Sequence, residues 1–429
     1  MQQKQKSNAV NKKIHTLPSN SLLITIVISL IIGIICSLLL LLEYNNFQIR
    51  SNVNIENKLE RNLQSAINLA IADTSITTNE QNTIVDLFNT GNDTALITKG
   101  NWGLYSFASL KVSANGKNNA KRFFFGQEMK DNYTDECLYL AEHKEYLSLV
   151  GNTILEGNAY LPTAGLRPSI INQRGYSFAQ LIKGNIKISA DSLPPINPQL
   201  IQHLSTLSKQ LEATERTLSV IPDSLQQSFS DSTIRIYQSG PIILSSCNLK
   251  GHILIVSDSS IEIGSNAFLN NVLLSAPIIK FDDAFSGTVQ AVATDSIVVK
   301  DNCHFFYPSS LTILKIPSLI QPSINIGENC MFEGTLLTYC TNNDISKTLI
   351  KIGKNTIIKG IVYSSGYLNL SGIIYGTVLT NYFIYNSTSS VYTNYLVDAE
   401  ISRDSLSKYF IMPHIFNISA PNKIAQWVQ

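Results

Sequence analysis

The chain has 429 residues, with 32 Lys and Arg against 31 Asp and Glu, and its formal net charge is +1 at pH 7. A balance this even argues against nucleic acid as a partner, and the length is sufficient for two or three structural units. The charge is unevenly placed, because the first 42 residues hold four lysines and no acidic residue.

The N-terminal region predicts a basic cytoplasmic tail over residues 1–20 and a transmembrane helix over residues 21–42. Ser21–Leu42 contains no charge, and its 22 residues match the thickness of a hydrocarbon core, about 30 Å at 1.5 Å per residue. It is longer than the apolar part of a cleaved signal, and no A-x-A-like site follows it. Lysines before it and Glu43 after it orient the N-terminus towards the cytoplasm. We therefore expect a single-pass signal anchor in the cytoplasmic (inner) membrane, lipid contact through residues 21–42, and an extracytoplasmic, periplasmic C-terminal part.

Residues 43–73 predict an amphipathic stalk helix that continues from the membrane. Apolar residues recur there at helical spacing: Val53, Ile55, Leu59, Leu63, Ile67 and Ile71. This stripe packs either on the following domain or on another copy of the chain. A membrane helix, an amphipathic helix and a β-rich head in succession resemble the layout of type IV pilins and pseudopilins. No glycine precedes the apolar run as a prepilin-peptidase site, and no glutamate lies near its start.

Residues 74–147 predict a small β-rich collar. Trp102–Gln127 has the pattern of a hairpin around the polar turn Asn115-Gly116, and short strands are expected at Cys137–Ala141 and Tyr146–Val150.

Residues 148–397 predict a parallel β-helix with rungs of about 18 residues, interrupted by a helical insertion over residues 198–229. In the insertion, apolar residues from Ile201 to Ile221 recur at helical spacing between charged residues such as Lys209, Glu212 and Glu215. The phrase from Leu149 to Pro162 resembles the opening of a group of uncharacterised bacterial single-pass proteins with an exported β-helix.

The β-helix prediction depends on a phrase that occurs five times, beginning at Ile261, Ile279, Ile297, Ile324 and Ile350. Each copy has an apolar-any-apolar strand, a Gly, Lys or Asp corner, an Asn or Asp bend, a small residue and a large apolar residue. A fixed period with turn residues at a fixed phase is typical of stacked repeats, whereas a β-sandwich, the alternative, explains only the alternation.

In a stack, equivalent residues of successive rungs form columns. The predicted small inward column is Ala267, Ala284, Cys303, Cys330 and Thr356. The predicted large column is Phe268, Phe285, Phe305, Phe332 and Ile358. The predicted bend residues are Asn266, Asp283, Asn302, Asn329 and Asn355, because Asn and Asp tolerate the left-handed conformation.

The end of the repeat region contains the glycines Gly360, Gly366, Gly372 and Gly376 in a turn-strand rhythm. This segment resembles bactofilins, polymer-forming β-helix proteins with similarly short rungs. Residues 398–429 are expected to form a C-terminal cap, with a helix over Asp398–Tyr409 that covers the open end.

The sequence supports no catalytic, cofactor-binding or metal-binding assignment, and we expect no cofactor and no enzymatic activity. Asp282-Asp283 is a tight acidic pair, but Asp283 already fills a bend position. His304 follows Cys303, and alternation in a strand directs the two to opposite faces. The five cysteines after the anchor are irregularly spaced, so one bridge is possible but a disulfide framework is not expected.

Three functional hypotheses follow. The first is a membrane-anchored structural or assembly protein that associates with itself or with envelope proteins. The second is a surface glycan-binding module that uses exposed aromatic residues clustered on one face of the coil: Tyr363, Tyr367, Tyr375, Tyr382 and Tyr385. The third is a polysaccharide lyase or hydrolase that uses Asp282 and Asp283.

Overall fold

The computed structural model describes residues 19–72 and 82–428, apart from 90, 92, 115, 131–132, 208–215, 316–320 and 341–346. The basic tail therefore lies almost entirely outside the described residues. Helix α1 spans Ser19–Ala72 without a break, so the predicted transmembrane and stalk helices are one element. Its N-terminal part is long and apolar enough to cross a membrane, and none of that window is buried.

The C-terminal part of α1 packs on an antiparallel sheet. This collar sheet is built from β1 (Asn82–Asp86), β2 (Thr94–Trp102), β3 (Tyr105–Ala114) and β4 (Lys117–Glu128). The predicted hairpin is present, because β3 pairs with β4 in antiparallel register. Leu59, Leu63 and Ile67 of the helix stripe are buried against Ile97, Leu110 and other apolar residues of the sheet. From Leu59 onwards, the stripe that the sequence left with two possible partners is thus covered within one chain, whereas Val53 at its start is exposed.

Short strands lead from the collar sheet towards the rest of the chain. They are β5 (Leu138–Leu140), β6 (Leu147–Val150), β7 (Ile154–Glu156), β8 (Ala159–Leu161), β9 (Leu166–Pro168) and β10 (Ile186–Ile188). The placement of Cys137–Ala141 in the collar was wrong. Strand β5 pairs in parallel with β8, and β6 pairs in parallel with β9, so both belong to the parallel body described below.

The predicted helical insertion is much shorter than expected. Helix α2 covers Pro198–Thr206, and Asn197 caps it by accepting a hydrogen bond from the Gln199 amide at 3.0 Å. Lys209, Glu212 and Glu215 lie outside the described residues. From residue 216 onwards the insertion is wrong, because the chain forms strands there. Thr217 and Val220 favour extended backbone, and Pro222 cannot occupy a helix interior.

The following strands complete the parallel body. They are β11 (Arg216–Leu218), β12 (Ser224–Gln227), β13 (Ile234–Gln238), β14 (Ile242–Leu244), β15 (Asn248–Gly251), β16 (Ile253–Ser257), β17 (Ser260–Ile263), β18 (Phe268–Phe281), β19 (Ser286–Val299), β20 (His304–Lys315), β21 (Ser323–Ile326), β22 (Met331–Cys340), β23 (Leu349–Ile352), β24 (Ile357–Leu370), β25 (Ile373–Asn386), β26 (Val391–Thr393), β27 (Tyr395–Val397) and β28 (Glu400–Ser402). Most pair in parallel with strands one turn further along, and the sheet closes on itself. We call this body the stack and each of its turns a coil.

One buried column runs through the stack and fixes its register. Parallel pairing places one residue from each coil directly over the next: Ile242, Ile261, Ile279, Ile297, Ile324, Ile350, Leu368 and Phe383. All eight side chains are fully buried. The repeated phrase that the sequence displayed is therefore a set of in-register parallel strands.

The predicted columns were wrong in their second copy. Register aligns Cys303 with Phe285 rather than with Ala284, and it aligns Phe305 with Gly287. Ala284 instead occupies the bend, with a φ of 60°, where Asp283 was expected. The small column thus runs through Ala267, Phe285, Cys303, Cys330 and Thr356. A large ring is accommodated there because Gly287 leaves space beside it: a Cβ on Gly287 would lie 2.8 Å from the Phe285 ring.

The first copy also departs from the prediction. Phe268 is 45% exposed, and the next residue, Leu269, is the one that is fully buried. In the later copies the large inward residue lies two positions after the small one, as in Cys303 and Phe305, because side chains alternate along a strand. Phe268 follows Ala267 directly and therefore points outwards.

The order of coils in the stack is not the order of the chain. Strand β25 pairs with β5 at Val378 and Leu138, and β28 pairs with β7 at Glu400 and Ile154. The N-terminal coils, from β5 to β10, therefore continue the stack beyond its C-terminal coils. The connection through Leu193, Ile196 and α2 returns along the outside of the stack and is buried against it.

The predicted C-terminal helical cap was wrong. Within the predicted helix Asp398–Tyr409, strand β28 joins the stack and turns follow it. Two more strands, β29 (Ile411–Met412) and β30 (Asn422–Val428), then pair with β4 in antiparallel register. The C-terminus therefore extends the collar sheet instead of covering the end of the stack.

A buried aromatic junction joins the collar sheet to the stack. The Trp102 indole donates a hydrogen bond to the Asn271 carbonyl at 2.8 Å, and its ring packs edge-on against Phe229 and His252. The His252 ring lies 2.9 Å from both the Asp231 carbonyl and the Thr233 hydroxyl. Burial lowers the pKa of His252 to about 4, so this histidine is neutral at pH 7. The junction holds the collar sheet and the stack together as one body.

Candidate functional site

The paired carboxylates of the enzyme hypothesis are engaged in structural contacts. Asp282 forms an ion pair with Lys300 at 2.9 Å, and both partners are about half exposed. Asp283 accepts a hydrogen bond from the Asp301 amide of the next coil at 3.1 Å. Each carboxylate thus links one coil to the next at the corner of the stack.

The histidine and cysteine candidates do not converge on a metal site. Cys303 is buried in the small column, while His304 points outwards and packs on the Phe306 ring at 4.1 Å. The described part of the chain contains no group of three or more His, Cys, Asp or Glu side chains arranged to hold a metal ion.

Cys303 and Cys330 are buried neighbours in adjacent coils. Cys303 donates to the Asp282 carbonyl and Cys330 to the Lys300 carbonyl, both at 3.1 Å. Interaction with the Cys330 thiol and burial raise the pKa of Cys303, which therefore stays protonated. These contacts fit the small core residues that the sequence predicted.

The five tyrosines of the glycan hypothesis do not form one surface. Tyr363 is buried and donates to the Pro194 carbonyl under the returning connection. Tyr367 and Tyr382 form a pair with ring centroids 5.6 Å apart. The Lys347 ammonium lies 3.7 Å from the Tyr382 centroid.

Tyr385 belongs to a separate row of rings that the sequence did not reveal. Tyr392 lies 6.4 Å from Tyr385 and 5.1 Å from Tyr395. Arg167 donates to the Tyr395 hydroxyl at 3.4 Å and lies over the Tyr146 ring at 5.2 Å. We call Tyr385, Tyr392, Tyr395 and Tyr146 the tyrosine row. The β25–β26 hairpin brings Tyr385 and Tyr392 together, and the stacking of β6 and β9 on β27 adds Tyr146 and Arg167, which are distant in sequence.

A second aromatic feature is a trough on the outer face of the stack. Its volume is about 280 Å³, and two exposed rings, Phe268 and Phe306, belong to its lining. Ser286, Gly287 and Thr288 of the intervening coil line it between them. Sequence reasoning missed this site because it placed Phe268 in the core. In the later copies the inward positions are two residues apart, and this spacing indicates that Phe268 points outwards.

The part of α1 that precedes the collar sheet is a further candidate functional element. The first helix residue that is buried against the sheet is Leu59. If the hydrocarbon core ends near Leu42, about 16 residues, or roughly 24 Å of helix, separate the core from the collar sheet. Along this neck, Tyr44, Phe47, Ile49 and Val53 are exposed.

Comparison with protein-family models gives no match, and a search of curated proteins also gives none. Among solved structures, the chain aligns with an ice-binding protein, LeIBP, from an Arctic yeast, whose structure was described as the basis of its antifreeze activity. The identity is 11%, the alignment covers 64% of this chain and 95% of that chain, and the TM-score is 0.18. A likeness this low carries no argument about fold or function.

Proposed function

We propose that the chain is a membrane-anchored extracytoplasmic structural or assembly protein, pseudopilin-like in its N-terminal layout, that presents a rigid parallel β-helix. The observation that carries this proposal is the division of α1. Its N-terminal part is apolar and no part of the membrane window is buried, whereas from Leu59 onwards one face of the helix is buried on the collar sheet. Such a helix suits a protein that has one end of α1 in a bilayer and the other end packed on the collar sheet.

The neck supports association with a second copy. Tyr44 and Phe47 follow the span directly, where aromatic side chains suit the membrane interface. Ile49 and Val53 lie further out and, four residues apart, share one face of the helix. Lipid does not reach them there, so the same face of a neighbouring chain is the partner that we propose.

Asp282 and Asp283 already form contacts with neighbouring coils, which favours a non-catalytic role for the stack. Polysaccharide cleavage at these carboxylates remains the less favoured proposal. It would require two carboxylates that face a substrate, whereas these two are bound to Lys300 and to the Asp301 amide.

Anchoring and orientation are tested by thiol labelling in spheroplasts of a bacterial host. Single cysteines replace Ser7 in the tail and Ser389 in the exposed turn after β25, in a background that carries Cys340→Ser. We expect a membrane-impermeant maleimide to label position 389 in intact spheroplasts and position 7 only after detergent is added. Labelling of position 7 but not of position 389 before detergent would contradict the proposed orientation.

A second candidate function, glycan binding, is favoured by the tyrosine row. Rings spaced 5–6 Å apart along a surface, with an arginine beside them, offer stacking and hydrogen bonding to a sugar chain. Tyr392 is in contact with both of its neighbours in the row, so Tyr392→Ala is the variant that tests it. If the tyrosine row is the glycan site, Tyr392→Ala should weaken the binding of an oligosaccharide.

A further inference from the structure

The trough owes its shape to one coil that carries small side chains between two coils that carry rings. The register of β18 and β19, which pairs Asn270 with Thr288, places Phe268 beside Ser286 of the next coil, and Phe306 lies on the coil after that. Adjacent coils are roughly 4.8 Å apart, so the two aromatic coils are separated by about 10 Å. Ser286 and Gly287 leave the space between them open.

Both rings are held in place by neighbouring side chains. The Lys250 ammonium lies 5.4 Å from the Phe268 centroid, and Lys250 is on the coil that precedes Phe268. The space lined by Ser286 and Gly287 belongs to the coil that follows, so the lysine packs from the side away from the trough. His304 packs on Phe306 at 4.1 Å. Rings that are already ordered lose little conformational freedom when a ligand binds.

The polar groups of the trough are uncharged and available for hydrogen bonds with a ligand. Ten residues of the described chain line it, and none of them carries a charge. The side chains of Asn266, Asn270 and Ser286 form no hydrogen bond within the described part of the chain. Amide and hydroxyl groups can both donate and accept, which matches the hydroxyl groups of a neutral sugar rather than a carboxylate or a phosphate.

We infer that the trough between Phe268 and Phe306 binds a neutral pyranose unit of a glycan, with the sugar ring against the phenylalanines and its hydroxyls on Asn266, Asn270 and Ser286. This inference rests on the glycan-binding candidate above and assigns it a site other than the tyrosine row. The apolar face of a pyranose suits an aromatic ring, and the volume of about 280 Å³ fits one sugar unit rather than a long chain.

The test measures binding of the full chain in detergent to three linear hexasaccharides by titration calorimetry. They are built from β-1,4-linked glucose, β-1,4-linked N-acetylglucosamine and α-1,4-linked galacturonic acid. We expect one of the two neutral hexasaccharides to bind and the anionic one not to bind. Phe268→Ala should weaken binding about tenfold, the loss of one stacking contact. Ser286→Phe, which fills the trough at an exposed position, should abolish binding.

Controls separate the trough from the tyrosine row. Phe88→Ala removes a similarly exposed ring from the collar and should leave binding unchanged. If Tyr392→Ala weakens binding while Phe268→Ala and Ser286→Phe do not, the trough assignment is overturned and the tyrosine row is the glycan site. Preference for the galacturonic acid chain would contradict the neutral ligand class. No binding by any of the three hexasaccharides would contradict both the trough and the glycan candidate.

Discussion

Replacement of Gly360 by alanine is expected to destabilise the stack by about 4 kcal/mol or more, or to prevent folding. Gly334, Gly360 and Gly376 are paired neighbours on successive coils, and their φ angles lie between 141° and 151°. A Cβ on Gly360 would lie 1.9 Å from the Gly334 carbonyl oxygen and 2.8 Å from the Phe410 ring. The carbonyl belongs to the backbone of the adjacent coil, so no side-chain rotation relieves the overlap.

The measurement is urea unfolding of the purified full chain in detergent. Gly240→Ala is the matched control, because a Cβ there meets nothing within 4 Å and its φ is not in the left-handed region. Gly240→Ala should unfold within about 1 kcal/mol of the unsubstituted chain. A Gly360→Ala chain as stable as Gly240→Ala would show that the coils do not stack at this point.

Truncation of two adjacent phenylalanines in one strand should change the free energy of unfolding by very different amounts. Phe305 is 1% exposed and its ring packs against Phe281, Phe285 and Phe332 at centroid distances of 5.0, 5.3 and 5.4 Å. Phe305→Ala leaves a cavity inside the stack and should cost about 3–5 kcal/mol in the free energy of unfolding. Phe306 is 42% exposed, and Phe306→Ala should change the free energy of unfolding by less than about 1 kcal/mol.

The pair is informative because the two substitutions remove the same atoms one residue apart. Only a strand with one inward and one outward face distinguishes them. Equal losses of stability at Phe305 and Phe306, measured in the same urea titration, would contradict the register of this coil.

Local pattern was sufficient to predict the strands of the repeats and their stacking, but not the departures within single copies. The column through Ile261, Ile279 and Ile297 could be predicted because period-2 apolar residues recur at a fixed step. The mistake at Ala284 arose because the second copy has a phenylalanine in the small position and a glycine in the large one, so that Phe285 and Gly287 together fill the space of a small and a large residue. Sequence spacing alone cannot show that exchange.

Long-range pairing explains most of the remaining differences. The stacking of β5 on β25 joins residues about 240 positions apart, and β30 pairs with β4 across almost 300 positions. Short apolar strands of this kind look alike in sequence, so nothing local specifies which edge they join. Within the tyrosine row, Tyr146 likewise joins the other rings only by a long-range pairing, that of β6 with β27. The trough, by contrast, lies within neighbouring repeats and could have been found by counting alternation from Ala267.

Disulfide trapping between necks tests the central claim, membrane-anchored assembly through α1, most directly. In a background of Cys36→Ala and Cys340→Ser, single cysteines replace Ile49, Val53 or Ser51, and isolated membranes are oxidised with copper phenanthroline. Ser51 is two residues from each of the others and therefore faces the opposite side of the helix. The account predicts covalent dimers from positions 49 and 53 and monomer from position 51. Monomer from all three positions, or equal dimer from all three, would contradict it.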